Sequence, residues 1–131
     1  MSDHGASLES PHRGRRIHKP WGYELIWAHT DRYVGKILHI DAGHALSYQY
    51  HRTKDETLHV LSGRVQLEVA AGEEPRRTLI LAAGDVFHIP AELRHRLTAL
   101  ETCDILEVST PELEDVIRIE DRYGRADKPI S

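Results

Sequence analysis

Along this chain hydrophobic and polar positions alternate with a period of two in short runs, while helical periodicity is almost absent. The runs predict strands at Tyr23–Trp27, Tyr33–Ile40, Leu46–His51, Thr57–Leu61, Arg64–Ala70, Arg77–Leu81, Asp85–Ile89, Arg94–Ala99 and Asp104–Ser109. Between them stand turn residues: Asp41-Ala42-Gly43, Ser62-Gly63, Ala71 to Pro75, Ala83-Gly84 and Pro90-Ala91. Each break supplies Gly, Pro or Asp where a turn needs positive φ, a fixed φ or a local side-chain hydrogen bond. Many short strands with so little helix predict an all-β fold, a closed or double-sheet jelly roll that hides its strand edges. The stretch Ser109 to Val116 predicts a short helical turn, capped by Ser109 or Thr110, with Pro111 at its first position.

A length of 131 residues suits one domain with one core. No apolar run approaches the ~20 residues that cross a bilayer, and the first residues lack a secretory pattern. The single cysteine, Cys103, excludes an internal disulfide framework and fits a reducing compartment, so a cytoplasmic protein is expected, with no membrane partner. Net charge is −4, which argues against general nucleic-acid binding. One local exception is a basic arm, His12, Arg13, Arg15, Arg16, His18 and Lys19. Two readings apply to it: a solvated flexible N-terminus over residues 1–18, or an arm that packs on a partner subunit or guides an anionic substrate. The organisation expected is that arm, a barrel over 19–125 including a C-terminal segment, and a tail over 126–131.

Two segments carry candidate chemistry. The first runs Gly43, five residues, Gln49, one, His51, four, Glu56, six, Gly63; the second runs Gly84, five residues, Pro90, four, His95. Both spacings resemble the two short motifs of the cupin superfamily, with Gln49 where the first His is usual and Ala99 where an Asn is usual. The Gln-x-His pair in "LSYQYHR", with "KPWGYE" (Lys19–Glu24) and "IRIEDRYGR" (Ile117–Arg125), is similar to the isomerase domain of the bifunctional phosphomannose isomerase/mannose-1-phosphate guanylyltransferases. The resemblance covers Lys19 to Arg125. It implies a double-stranded β-helix, a jelly-roll cupin barrel, with Gln49, His51, Glu56 and His95 as ligands of one divalent metal.

Residues i and i+2 of a strand share a face, so Gln49 and His51 point together. Two imidazoles, a carboxylate and an amide oxygen suit Zn, Mn, Fe, Ni or Co. With one anionic ligand the centre keeps a positive charge that favours an anionic or hydroxyl-rich ligand. A barrel without metal, with Gln49 hydrogen-bonded inside, is the plainer alternative. His59 lies three positions after Glu56 and is expected to face the other way; His44 is expected in a loop and His39 outward. His88, two before Pro90, is a candidate for packing or, with Lys36, for catalysis.

Lys36 shares its face with Leu38 and Ile40, and is either a tip that snorkels to the barrel mouth or a cation inside it. Arg122, Tyr123 and Arg125 are candidates for phosphate or substrate contact at the mouth, or for C-terminal packing. Trp21 is expected in the core.

Three functions follow. The resemblance favours an aldose–ketose isomerase acting on a sugar or sugar phosphate. The same ligand set also suits an Fe(II)-dependent oxygenase or a small-molecule lyase. A non-catalytic sugar- or metal-binding regulatory barrel is the third. Small stand-alone cupins are frequently dimers, so a homodimer is expected.

Overall fold

The computed structural model of the chain describes residues 8–126. Residues 1–7 of the arm and 127–131 of the tail lie outside the described residues. Eleven strands follow in order: β1 (Arg15–Lys19), β2 (Gly22–His29), β3 (Val34–Ile40), β4 (Tyr48–Tyr50), β5 (Glu56–Ser62), β6 (Arg64–Ala71), β7 (Arg77–Ala82), β8 (Val86–Ile89), β9 (Leu93–Ala99), β10 (Cys103–Ser109) and β11 (Ile117–Glu120). Every run read as a strand contains one, although the Leu46–His51 run is regular only at β4.

The strands make two sheets, β1-β2-β3-β10-β5-β8 and β11-β4-β9-β6-β7. Neighbours are antiparallel throughout, as in a jelly roll. The core lies between the sheets. Leu38, Ile40, Leu58, Val60 and Ile105 from the first meet Val65, Leu67, Leu97 and Ala99 from the second. Each large aliphatic side chain buried there contributes about 1.5–3 kcal/mol. Gly63 makes the β5–β6 turn possible. Its φ is +82°, and a Cβ there would stand 2.4 Å from the Thr102 carbonyl oxygen.

The inward faces change character along their length. On β10 the buried series runs Cys103, Ile105, Glu107, Ser109; on β5 it runs Val60, Leu58, Glu56; on β9 it runs Ala99, Leu97, His95. Antiparallel register aligns the polar ends, with Glu107 opposite both Lys36 and Leu58 and Ser109 opposite Glu56. Gln49 pairs with His95 across the other sheet. One end of the barrel is therefore sealed by hydrocarbon and the other is lined with charge.

Two expectations need correction. Residues 15–18 of the basic arm are not a free arm but belong to β1, hydrogen-bonded along β2 from Arg15↔Ile26 to Lys19↔Gly22. Five residues with one aliphatic side chain gave no alternation to read. The segment Ser109 to Val116 forms tight turns, with Leu113 N–H donating to Pro111 O at 2.8 Å and Val116 N–H to Glu114 O at 2.9 Å, and no helix. Thr110, one of its two expected caps, bonds Asp55 instead, and Asp115 within the segment bonds the turn after β4.

Candidate metal centre

His51, Glu56 and His95 come from three places in the chain and meet at the polar end of the barrel. His51 directly follows β4, Glu56 opens β5 and His95 lies in β9. All three are buried, and one donor atom from each falls within 4.8 Å of the others. His51 Nε2 stands 3.1 Å from Glu56 Oε2, and His95 Nε2 stands 4.0 Å from Glu56 Oε1. Two donors sharing one first-row ion at ~2.1 Å lie about 3.0–4.2 Å apart, so this spacing fits an ion with small adjustments.

Both imidazoles are already aimed. His51 Nδ1 donates to the Asp115 carbonyl at 2.5 Å and His95 Nδ1 donates to the Leu93 carbonyl at 2.9 Å. A carbonyl only accepts, so each Nδ1 carries a proton, and Nε2 is the nitrogen that faces the centre, the one a neutral imidazole would offer to an ion. Glu56 Oε2 is buried and accepts no well-aligned hydrogen bond. The Lys54 ammonium stands 3.2 Å from it, so the oxygen lies where the protein already places a positive charge. Gln49, the fourth expected ligand, lines the same cavity, its amide Nε2 at 3.5 Å from Ser47 O.

Beside the ligand set lies a buried charge chain that the sequence did not single out. Lys54 Nζ sits between Glu56 Oε2 at 3.2 Å and Glu107 Oε2 at 3.0 Å, all three side chains about 5% exposed or less. Burial alone lowers an ammonium, but the two carboxylates outweigh it and hold Lys54 raised. Burial likewise pushes Glu56 up, but His51, Lys54 and His95 outweigh it and keep its carboxyl well below the ordinary range. Glu107 goes the other way, raised by burial and then by the charge of Glu56, with Lys54 and Lys36 offsetting in part. Burial holds His95 below its ordinary value.

The cavity over this centre has a volume of about 350 Å³. Six basic side chains (Arg15, Lys19, Lys36, Lys54, Arg118, Arg125) and four acidic ones (Glu24, Glu56, Glu107, Glu114) line it. Lys36 is inside and buried, its Nζ 3.1 Å from Glu24 Oε1. Arg125 reaches the lining and is braced by Asp121 through Nε at 2.9 Å and Nη2 at 3.1 Å.

Other candidates lie elsewhere. Tyr123 packs on the core, its hydroxyl 2.7 Å from His44 Nδ1, and Arg122 donates to Gly43 O at 3.0 Å; neither lines the cavity. His88 is no catalytic candidate, because it sits exposed on the outside of β8, 2.7 Å from Asp55. Pro90 is exposed as well, so the face that His88 shares with it is the outer one, away from the cavity. His39 faces outward toward Asp104 and Asp41, as its parity implied. Trp21 is buried in the core. Arg15 and Lys19 were missed as cavity residues; the signal available was their i, i+4 spacing around Ile17, legible once β1 is known to be a strand.

A two-sheet β-barrel with two imidazoles and a carboxylate converging at its polar mouth defines a class of small barrel with a candidate metal centre. The family model described as "Cupin domain" matches residues 36–109, and the chain belongs to the cupin family. Among curated proteins it is 33% identical over 117 residues to xanthan biosynthesis protein XanB of Xanthomonas campestris pv. campestris, covering 85% of this chain and 24% of that protein. It is 32% identical over 120 residues to mannose-1-phosphate guanylyltransferase ManC of Salmonella typhimurium, covering 87% and 24%. The chain thus spans about a quarter of the length of these relatives. Among solved structures, KdgF from Halomonas sp. superposes with a TM-score of 0.69 at 23% identity, covering 84% of this chain and 97% of that one, a likeness of fold. No helix among the described residues is long and apolar enough to cross a membrane.

Proposed function

We propose that this cupin holds one divalent metal ion through His51, Glu56, His95 and Gln49 and acts as an isomerase on a sugar or sugar phosphate. The observation that carries the metal part is the pair of Nε2 atoms that face the two oxygens of the buried Glu56 carboxylate, His51 at 3.1 Å from Oε2 and His95 at 4.0 Å from Oε1. The isomerase part is supported by the similarity to sugar-nucleotide proteins and by the cationic lining of the cavity. When bound, the metal would polarise the carbonyl and hydroxyl oxygens of the substrate as a Lewis acid.

The chain's own residues supply the rest. Lys19, Lys36 and Arg125 line the wall where an anionic or hydroxyl-rich ligand is gripped, and Arg15 extends that charge to the rim. Moving a proton between neighbouring carbons needs a group outside the ligand set. Glu107 is such a group: it lines the cavity and is held above the ordinary carboxylate range. Lys36, across the strand pair from it, is the second. Leu113 and Val116 cover one side of the cavity and limit water there.

The test uses untagged protein loaded in turn with Zn, Mn, Fe, Ni and Co, beside His51→Ala. Bound metal is measured by elemental analysis, and mannose 6-phosphate in deuterated water is followed by proton NMR. Stoichiometric metal lost in His51→Ala, with deuterium incorporation and ketose formation, is the expected result. Stoichiometric metal without exchange removes the isomerase and leaves a binding barrel. Turnover that needs iron and oxygen assigns an oxygenase instead.

A further inference from the structure

We propose that Asp115 is a positioning residue for the metal centre: its carbonyl aims His51, and its carboxylate holds the turn that carries His51 toward Glu56. The inference rests on the reading of His51, Glu56 and His95 as a metal site. Asp115 lies in the segment between β10 and β11, in a part of the chain with no ligand of its own.

Four hydrogen bonds converge on this one residue. Its carbonyl oxygen accepts His51 Nδ1–H at 2.5 Å. Its Oδ1 accepts the Arg52 N–H at 3.0 Å, and its Oδ2 accepts the Thr53 N–H at 2.7 Å and the Lys54 N–H at 2.9 Å. Four consecutive residues, the first a ligand and the last the ammonium beside Glu56, therefore take their placement from Asp115. The turn they form belongs to no strand, so no sheet ladder holds these N–H groups. A second clip fixes the same segment one step further on. Asp55 N–H donates to Thr110 Oγ1 at 3.0 Å, and Thr110 N–H donates to Asp55 O at 3.0 Å. The segment so clipped also supplies Leu113, Glu114 and Val116 to the cavity wall.

The geometry demands an aspartate. A short side chain with two acceptor oxygens meets three converging donors, whereas the amide of Asn places an NH₂ against one side of them. Ala leaves all three to water. The carbonyl that aims His51 is then carried by a backbone no longer pinned by its own side chain. Partners of this kind typically govern 10–100-fold of metal affinity.

The experiment uses Co(II) as probe. Metal-free wild type, Asp115→Ala, Asp115→Asn and Val65→Ala are titrated with cobalt against a competing chelator, and the visible d–d spectrum and thermal midpoint are recorded. Val65 is a core residue at the sealed end and serves as a control for stability alone. Asp115→Ala is expected to weaken cobalt about 10–100-fold and to alter the d–d bands, with Asp115→Asn between it and wild type. Val65→Ala is expected to lower the thermal midpoint while leaving affinity and spectrum unchanged. Asp115→Asn, nearly isosteric, decides the matter where the Ala variant fails to fold. Wild-type affinity and spectrum in the Asp115 variants overturn the proposal, as does an equal loss in Val65→Ala. Wild type that takes up no cobalt removes the metal reading itself, a result obtained before any variant is compared.

Discussion

Replacing Lys54 with Met removes the ammonium that stands between Glu56 and Glu107 and leaves two carboxylates in a site where all three side chains are about 5% exposed or less. Removing one partner of a buried ion pair costs about 3–5 kcal/mol. Here protonation sets a ceiling, because Glu107, already raised by burial and by Glu56, can take up a proton. Protonating a carboxylate of ordinary pKa ~4.3 costs about 1.4 kcal/mol per pH unit, or about 4 kcal/mol at pH 7 and about 1.6 kcal/mol at pH 5.5. A carboxyl whose folded pKa is raised contributes stability at low pH and loses it as pH rises. The metal-free variant should therefore be destabilised by up to about 4 kcal/mol at pH 7, and by about 2 kcal/mol less at pH 5.5. Urea unfolding at both pH values reads the difference. The double variant Lys54→Met/Glu107→Leu should recover most of the loss at pH 7, since one carboxylate then faces His51 and no buried like charge is left. A loss that does not change between the two pH values, or no recovery in the double variant, would refute the charge argument and leave a packing defect.

Burial holds His95 below its ordinary value of 6.5 despite the opposing pull of Glu56. The unfolded chain then binds more protons near and below 6.5, so metal-free wild type should lose more of its urea midpoint than His95→Gln between pH 7.5 and 5.5; equal losses would contradict this. We place the expected self-association on the outside of the six-stranded sheet. Leu25, Ile37, Leu106, His59 and Val86 lie in register across five strands, beside Trp27 (44% exposed) and Val108 (47% exposed). These positions bring no carboxylate, Lys or Arg, and the row ends at Arg16 beside Leu25, so a second copy can cover them with that charge left at the rim. Sedimentation velocity should give a dimer that Leu106→Lys/Val108→Glu returns to a monomer; a monomeric wild type discards this surface.

The strands were legible because nearly all of them bury one face, and a half-buried strand writes its period into the sequence. β1 escaped because Arg15-Arg16-Ile17-His18-Lys19 packs charge on both faces: Arg15 and Lys19 toward the cavity, Arg16 and His18 away from it. The supposed helical turn failed for a related reason. Ser, Thr, Pro and acidic residues are capping groups only when no other backbone needs them, and here Thr110 and Asp115 satisfy the donors of another loop. His88 was misread because the face it shares with Pro90 is the exposed one, while Ile89 between them is buried. Arg122 and Tyr123 belong to the same short motif as Arg125, yet among these three the cavity takes Arg125 alone.

What the chain determined by itself is the alternation that makes two sheets and the motif spacing that marks Gln49, His51, Glu56 and His95 as candidates. Both are local properties, since parity along a strand sets the face and motif spacing sets the turn. What only the tertiary structure decided is the company those residues keep. Lys54 and Glu107 become neighbours, Asp115 meets His51, and β1 closes over the mouth because particular strands lie side by side. That adjacency is set by burying the aliphatic face of all strands at once, and no short window of sequence contains it.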